Sequence, residues 1–500
     1  MSDIASPPTP ASAESAPPSA PVTDENPFRR AFWVGVVDAR VPALLRIALG
    51  LLVATDLGDR LTDFHAFYTA DGMIPAAGET VRRIAQWSLF NLPAVSSSRG
   101  ATLALFLAGF PLALSFALGY RTRVVAPLLW AFVLSLQVRN LHVCDGGDAV
   151  LSALLFWSMF TDMGAAFSLD VRLGRRRAEA WVPAAGLRFL QLQVALVYLV
   201  TFFAKSGPTW HDGTAVYRAL VNSDWQRGLA PWVAAHPRLC TALSYATLAI
   251  EGTFPLLVLS PWRPRLTRAI AVCAGLALHM GIFVTMRIGI FCQVMPASYL
   301  VFLSGPMIDR VQAALERRPR PTTPAPTEAV PRPSWRITGA RGVALLAVPM
   351  ALILADQIFR GTGRLTPRPV LGALMGIGQH QNWRMFAPDA PVSDVTWRLP
   401  GILADGRTVE LSDAVVPKMR AHRGFLYSRW HRLRNSLIVG SRDLLLPFGR
   451  YVCRRANADL YSSQTLVSFE LIATLKPTLE PGPARDDVIL RQRCGAASAP

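Results

Sequence analysis

The stretch YLVTFFAKSGPTWHDGTAV, residues 198–216, decides the fold class because it joins a long apolar run to a polar loop. The apolar run extends from Leu187 to Ala204 and approaches the ~20 residues that a helix needs to cross a lipid bilayer. Lys205 follows directly, and it is one of only three lysines among 51 basic residues. The stretch therefore predicts a membrane-spanning helix that ends in an ionisable side chain.

Eight further apolar segments extend this prediction along the chain. Apolar residues make up 51% of the sequence, and the mean hydropathy is positive, at +0.31, as is typical of membrane proteins. We therefore expect a polytopic α-helical membrane protein with about nine transmembrane helices. These are the segments 42–58, 101–119, 124–140, 147–167, 187–205, 239–260, 267–286, 288–305 and 340–358.

The net charge of +18 comes from arginines that are grouped in particular loops. The groups lie at 121–123, 172–177, 263–268 and 317–320, which are alternate connections between the predicted helices. Cytoplasmic loops carry such an excess, so nine helices place the N-terminus inside and the C-terminal domain outside the plasma (inner) membrane, as expected for a bacterial protein. A basic rim against anionic lipid explains the charge, so we expect a lipid bilayer as partner and no nucleic acid.

Composition divides the chain into five parts, of which the last is expected to be an α+β or β-rich domain. They are a disordered cytoplasmic tail (1–30), a transmembrane domain (31–305), a Pro- and Arg-rich cytoplasmic linker (306–338), a final transmembrane helix (339–359) and an extracytoplasmic C-terminal domain (360–500). In that domain we predict a hairpin of 395–399 and 407–411 around Asp405–Gly406, a strand at 465–475, and helices at 429–439 and 444–457.

The six cysteines show no metal-ligand spacing, so no metal site is predicted. Cys453 and Cys494 both lie in the C-terminal domain. If that domain is outside the cell, the two could form a disulfide.

Lys205 is the first candidate for chemistry. Arginine keeps its proton in proteins, whereas a partly desolvated lysine amine can lose it and act as a general base. The alternative is a cation that reaches from the helix end to the membrane surface. Trp210 and Asp212 follow closely and would shape or tune the site, although a tryptophan there is also typical of the aromatic belt at a membrane interface.

Glu251 and His279 lie inside predicted helices, where ionisable residues are costly and normally paired. They would form a functional pair on neighbouring helices, or else a structural hydrogen bond and a packing residue. Asp145 and Asp148 flank two glycines at the start of a helix and are either its caps or part of the site. A local ion pair is expected among Asp56, Asp59 and Arg60.

The motifs of the common soluble enzymes do not occur in the sequence: there is no Gly-rich phosphate loop, HExxH or GxSxG. A transporter remains an alternative, although we find no inverted repeat with paired broken helices.

Several short strips, in this order, resemble the HTTM (horizontally transferred transmembrane) domain proteins, relatives of vitamin K-dependent γ-glutamyl carboxylase. The strips are RIALGLL (46–52), FYTADG (67–72), GGD (146–148), FSLD (167–170), YLVTFFAK (198–205) with Trp210, Asp212 and Gly213, EGTFPL (251–256), His279, RIGIF (287–291) and NWRMFAP (382–388). The resemblance covers about residues 40–305 and 380–475.

The resemblance implies a specific chemistry. In the carboxylase family a lysine deprotonates vitamin K hydroquinone, and oxygen then adds to it. The oxygenated quinone removes a γ-proton from a glutamate side chain, and carbon dioxide traps the resulting carbanion. Lys205 occupies the place of that lysine, and His279 that of a family histidine. Asp148, with His142 nearby, falls where the family has a second functional histidine, which is a departure from its pattern.

The resemblance thus implies a reduced vitamin K or menaquinol-like quinol, with O2 and CO2 as co-substrates, no metal, and a protein or peptide as a possible partner. The catalytic residues would be Lys205 and His279, and Glu251, Asp148, His142, Trp210 and Asp212 would support the pocket. The alternative function is a non-enzymatic membrane assembly or lipid-binding factor, because a shared fold does not establish activity.

Overall fold

The structure is a computed structural model, and it describes residues 24–74, 87–223, 225–316, 339–415, 429–438, 442–459, 465–479 and 482–495. Most of the tail predicted at 1–30 and of the linker predicted at 306–338 lies outside the described residues.

Helices dominate the described chain up to residue 376. They are α1 (Arg30–Val34), α2 (Arg40–Leu61), α3 (Phe64–Tyr68), α4 (Pro93–Ser96), α5 (Arg99–Leu118), α6 (Thr122–Arg139), α7 (Gly146–Ser158), α8 (Leu169–Arg172), α9 (Ala185–Ala204), α10 (Pro208–His211), α11 (Ala215–Val221), α12 (Ala230–Ala234), α13 (Pro237–Val258), α14 (Pro264–Thr285), α15 (Phe291–Ser298), α16 (Gly305–Glu316), α17 (Gly339–Gly361) and α18 (Arg368–Gly376). A two-stranded sheet of β1 (Val36–Asp38) and β2 (Trp181–Pro183) lies among them.

Seven of the described helices are long and apolar enough to cross a membrane, namely α2, α5, α6, α9, α13, α14 and α17. They confirm seven of the nine predicted segments, to within a few residues at each end. The protein is therefore a polytopic helical membrane protein.

Neither of the other two predicted segments forms a single long helix in the structure. Segment 147–167 contains the 13-residue α7, which ends where the chain enters a turn. Segment 288–305 contains α15 and a 3-10 turn, and a bend of 112° separates them from α16. Residues 303–304 are not helical, and Gly305–Pro306 follows directly, so the chain does not continue as one straight helix.

Segment 147–167 nevertheless runs between the two ends of α2. Asp148 is bound to Arg60, near one end of α2. The carbonyl oxygens of Met163 and Phe167 accept hydrogen bonds from Arg46, at 2.8 and 2.6 Å. Arg60 lies 14 residues after Arg46, which corresponds to about 21 Å of helix, so the segment spans most of the length of α2.

Segment 288–305 makes a similar passage. Phe291 lies so close to Gly147 that a Cβ at that glycine would be 2.6 Å from the Phe291 nitrogen. Beyond the bend, Asp309 accepts a 2.8 Å hydrogen bond from Arg40 at the other end of α2.

The described residues of the C-terminal region form a five-stranded antiparallel sheet and three helices. The sheet has β3 (Ser393–Arg398), β4 (Pro400–Leu403), β5 (Thr408–Glu410), β6 (Leu466–Pro477) and β7 (Arg485–Arg493); the helices are α19 (Ser412–Val415), α20 (Arg429–Ile438) and α21 (Arg442–Asp459). Strand β6 is central, because β7 pairs along one side of it and β3 and β4 pair with different parts of the strand. The predicted strand and both predicted helices are confirmed.

The predicted hairpin was wrong in its first arm. The turn at Asp405–Gly406 joins β4 to β5, whereas 393–398 pairs with β6. Pro400 begins β4, and Gly401 lies so close to Leu466 that a Cβ there would be 2.7 Å from its side chain. Strand β4 is therefore separate from β3 and packs closely against β6 at Gly401.

Cys453 and Cys494 form a disulfide, with their Cα atoms 5.5 Å apart, as the sequence suggested. The bond ties α21 to the residue that follows β7.

Candidate functional site

Lys205 and Glu251 form a buried ion pair between α9 and α13. The Lys205 amine lies 2.8 and 2.9 Å from the two carboxylate oxygens of Glu251, and the two side chains are 3% and 9% exposed. The pairing needs close helices, and Gly252 provides this: a Cβ at that position would be 3.0 Å from the Phe202 ring. Each charge is costly to bury alone, so each stabilises the other.

The pair lies in the wall of a cavity of about 390 Å³. The cavity also contacts His279, Trp210, Phe291 and many aliphatic side chains of α11, α13 and α14. Small-molecule sites in proteins typically have this size and combine apolar walls with a few polar groups. The arrangement fits an apolar ligand that carries a group able to hydrogen-bond.

His279 lies in the same cavity but takes a partner other than Glu251. Its Nε2 is 3.1 Å from the Tyr198 hydroxyl, which is itself hydrogen-bonded to the Tyr299 hydroxyl. Its Nδ1 is buried and has no hydrogen-bond partner among the described residues. A buried polar atom of this kind is uncommon, so it is a second polar group that a ligand could satisfy.

Trp210 covers the Lys205 amine. Its ring centroid is 5.0 Å from the amine nitrogen, within the range of a cation–π contact. Its indole N–H donates a 2.8 Å hydrogen bond to the carbonyl of Phe386. With 4% exposure, Trp210 belongs to the cavity wall rather than to an exposed interfacial belt.

Asp212 lies outside the cavity and is exposed. Its carboxylate accepts hydrogen bonds from the backbone and hydroxyl of Thr214, at 2.8 and 2.7 Å. This contact organises the turn before α11, so any influence of Asp212 on Lys205 is indirect.

The residues 385–390 form a roof over the cavity, which the sequence did not predict. Met385, Phe386 and Ala390 line it. The roof is held by Asp389, whose carboxylate accepts 2.9 Å hydrogen bonds from the backbone and hydroxyl of Thr209. Phe386 has a φ of 53°, which is uncommon for a non-glycine residue and often marks functional sites.

Asp148 belongs to a separate buried cluster. Its carboxylate binds Arg60 and also Arg429, the latter at 3.0 Å. Asp56 binds the same two arginines. Asp145 and Asp148 also form the expected cap of α7, through hydrogen bonds between each carboxylate and the other residue's backbone N–H.

His142 lies in the 3-10 turn Leu141–Val143, beside this cluster and not among the residues that line the cavity. The structure thus brings together Lys205, Glu251, His279 and Trp210, and places Asp148, His142 and Asp212 elsewhere. Arg429 could not have been found from local sequence, because its partner Asp56 is 373 residues away.

A sequence model of the HTTM domain matches residues 37–305 of the chain. The match contains Lys205, Glu251 and His279, whereas the roof lies beyond it. No curated protein and no solved structure matches the chain.

Proposed function

Because the chain belongs to the family of HTTM-domain proteins, we propose that it is a membrane enzyme that oxidises a lipid-soluble quinol with O2 as the oxidant and Lys205 as the general base. The observation that carries this proposal is the buried Lys205–Glu251 pair in the wall of an apolar cavity. A quinol suits the cavity because its ring is apolar and its two hydroxyl groups need polar partners. The Lys205–Glu251 pair would hydrogen-bond to one hydroxyl group, and the Nδ1 of His279 would hydrogen-bond to the other.

The pair acts as a base through its shared proton. In one form Lys205 is an ammonium and Glu251 a carboxylate; in the other, the proton has moved and the amine is neutral. Two strongly coupled groups titrate as a unit. The neutral amine takes the hydroxyl proton, the electron pair of the broken O–H bond stays on oxygen, and the new positive charge of the pair stabilises it.

The resemblance to vitamin K-dependent carboxylase extends the proposal to later steps. O2 and CO2 are then the co-substrates, and a glutamate side chain of a protein or peptide is the acceptor. Asp148 gives reason to test oxidation and carboxylation separately. It falls where the family has a functional histidine, yet it binds Arg60 and Arg429 instead of lining the cavity.

The orientation in the membrane is part of this proposal. We place the roof and the C-terminal region on the extracytoplasmic side. Three arginine groups that the structure describes, at 121–123, 172–177 and 263–268, then face the cytoplasm. Nine passages of the chain give this result if both interrupted segments cross. The disulfide supports it, since disulfides persist in oxidising compartments.

The test is quinone analysis by mass spectrometry after incubating membranes with vitamin K hydroquinone or menaquinol and O2. Lys205→Met should lower quinone epoxide formation by at least about 100-fold, the order expected for loss of a general base. Lys476→Met is the matched control, because it removes an exposed lysine of the C-terminal sheet. Equal turnover in Lys205→Met and the wild type would exclude the proposed role.

The non-enzymatic alternative makes a different prediction for the same experiment. A lipid-binding or assembly factor would bind quinol in the cavity without consuming it. Absence of turnover in the wild-type protein, together with a stably co-purified partner, would favour that function.

A further inference from the structure

The walls of the cavity are unequally exposed. Six of the residues that line it are exposed, and all of them are apolar: Leu229, Leu243, Ala246, Ala277, Gly281 and Val284. Two belong to α13, three belong to α14, and Leu229 directly precedes α12. The members on α14 are spaced by four and three residues, so they share one helix face. The cavity therefore opens along facing rows of α13 and α14.

The surface around this opening is apolar, as a surface that faces lipid requires. Both α13 and α14 are among the seven helices long and apolar enough to span a membrane. Between residues 239 and 258, α13 has one charged residue, the buried Glu251. Between 269 and 285, α14 has no Asp, Glu, Lys or Arg. Next to the opening, Trp232 is 60% exposed, as is typical of tryptophans at a membrane interface.

The side towards the C-terminal region is closed by the roof. Gly207 donates a 3.0 Å backbone hydrogen bond to Pro388, in addition to the contacts of Asp389 and Trp210. None of the three roof residues that line the cavity is among its exposed members. A solute from water would have to displace the roof, whereas a molecule dissolved in the bilayer meets an open gap.

We propose that the ligand enters sideways from the bilayer, between α13 and α14, and that its apolar tail remains in this gap while its polar ring reaches Lys205 and Glu251. The identity of the ring rests on the proposed function; the route rests on the geometry of the cavity. Glu251 lies eight residues after Leu243, which corresponds to about 12 Å of helix. The site therefore takes amphiphiles whose tail exceeds that length, in preference to short-tailed, water-soluble analogues.

Photo-cross-linking in liposomes tests this route without requiring turnover. The probe is a benzoquinone with a long isoprenoid tail that carries a diazirine, added to liposomes that contain the full-length protein. Mass spectrometry should find cross-links on the facing rows of α13 and α14. A cross-linking pattern confined to 385–390, or no cross-link on either row, would overturn the proposal.

Substitutions at the gap sharpen the test. Gly281→Trp should lower cross-linking inside the cavity by about tenfold or more, equivalent to about 1.4 kcal/mol of binding. The residue has space for the change, because no atom lies within 4 Å of a Cβ placed there. Ala246→Trp narrows the gap from the other helix. Met280→Trp is the control, since Met280 is 45% exposed and does not line the cavity.

Equal cross-linking in the gap variants and Met280→Trp would contradict lateral entry. The outcome is separable from the fate of the proposed function. Cross-links on α13 and α14, combined with full turnover by Lys205→Met, would support lateral entry and exclude Lys205 as the general base.

Discussion

Lys205 and Glu251 determine what the cavity can do. Burial disfavours the ammonium form of an isolated amine, and a carboxylate within hydrogen-bond distance favours it. The two effects act on the same amine, so the ease with which Lys205 releases its proton depends on Glu251. Trp210 adds a third influence, because its ring faces the amine and attracts the cation.

Glu251→Gln should move the acid limb of the pH–rate profile to lower pH. The substitution removes the charge that favours the ammonium form, while the apolar surroundings of the amine remain. Quinol turnover by liposome-reconstituted protein, measured from acid to alkaline pH, shows directly at which pH the acid limb lies. Glu470→Gln is the control, because Glu470 of β6 is a partly exposed carboxylate that also pairs with a cation, Arg491. A profile that superimposes on the wild type would show that Glu251 does not influence the base.

The sequence was sufficient to single out Lys205, Glu251 and His279, because each is an ionisable residue at or within an apolar run. It could not give their partners. Glu251 is 46 residues from Lys205, and Tyr198 is 81 residues from His279. The roof was missed for a related reason: the strip 382–388 resembles the family, but nothing in its sequence places it beside the cavity, and only folding brings Phe386 against Trp210.

Among the helices, α20 is notable because Arg429 extends from it into the membrane domain. Arg429 and Arg60 meet Asp56 and Asp148, and all four side chains are at most 5% exposed. The Arg429 guanidinium also donates to the carbonyl of Val143, at 2.9 Å. This cluster fixes α20 against the start of α7.

Arg429→Met should destabilise the protein by about 3–5 kcal/mol, because it leaves two buried carboxylates, Asp56 and Asp148, with Arg60 as their one remaining arginine partner in the cluster. Thermal unfolding in detergent would measure the loss. Arg432→Met is the matched control on the same helix; Arg432 is exposed and makes one hydrogen bond to a backbone carbonyl. Adding Asp56→Asn to Arg429→Met should recover part of the stability. Equal melting of both single variants would mean that the cluster is not a docking contact.

The sequence predicted the helices and strands correctly where a long segment is uniformly apolar or strictly alternating. It failed where the packing of neighbouring elements determines the local structure. The seven long apolar helices and β6 follow from composition and alternation. The change from α15 to a 3-10 turn within 288–305 does not, because apolar residues continue from Tyr299 to Leu303. The hairpin error has the same origin: both β3 and β4 precede the turn at Asp405–Gly406, and tertiary pairing places β4 against β5 and β3 against β6.

The whole molecule is a membrane bundle whose cavity is completed by a segment from beyond the last long helix. Residues 37–305 match the family's domain, but the roof comes from 385–390. A fragment that ends at residue 305 would therefore lack the side of the cavity formed by Met385, Phe386 and Ala390. This arrangement links the C-terminal region to the site, although its helices lie outside the cavity.

The proposed orientation predicts which surfaces a membrane-impermeant maleimide reaches. Lys476→Cys, in the C-terminal sheet, should be labelled in intact spheroplasts. Arg265→Cys, at the start of α14, should be labelled only after permeabilisation. Both native residues are exposed, and the unmodified protein gives the background from its own cysteines. The reverse pattern would invert the topology and place the roof in the cytoplasm.

Turnover by Lys205→Arg is the most direct measurement of the central claim. Arginine retains a positive charge that can face Glu251, but it does not release its proton at accessible pH. If Lys205 takes the hydroxyl proton, Lys205→Arg should bind quinol and lose at least about 100-fold in quinol oxidation. Oxidation within a few-fold of the wild-type rate would show that a fixed positive charge suffices and that Lys205 is not the base.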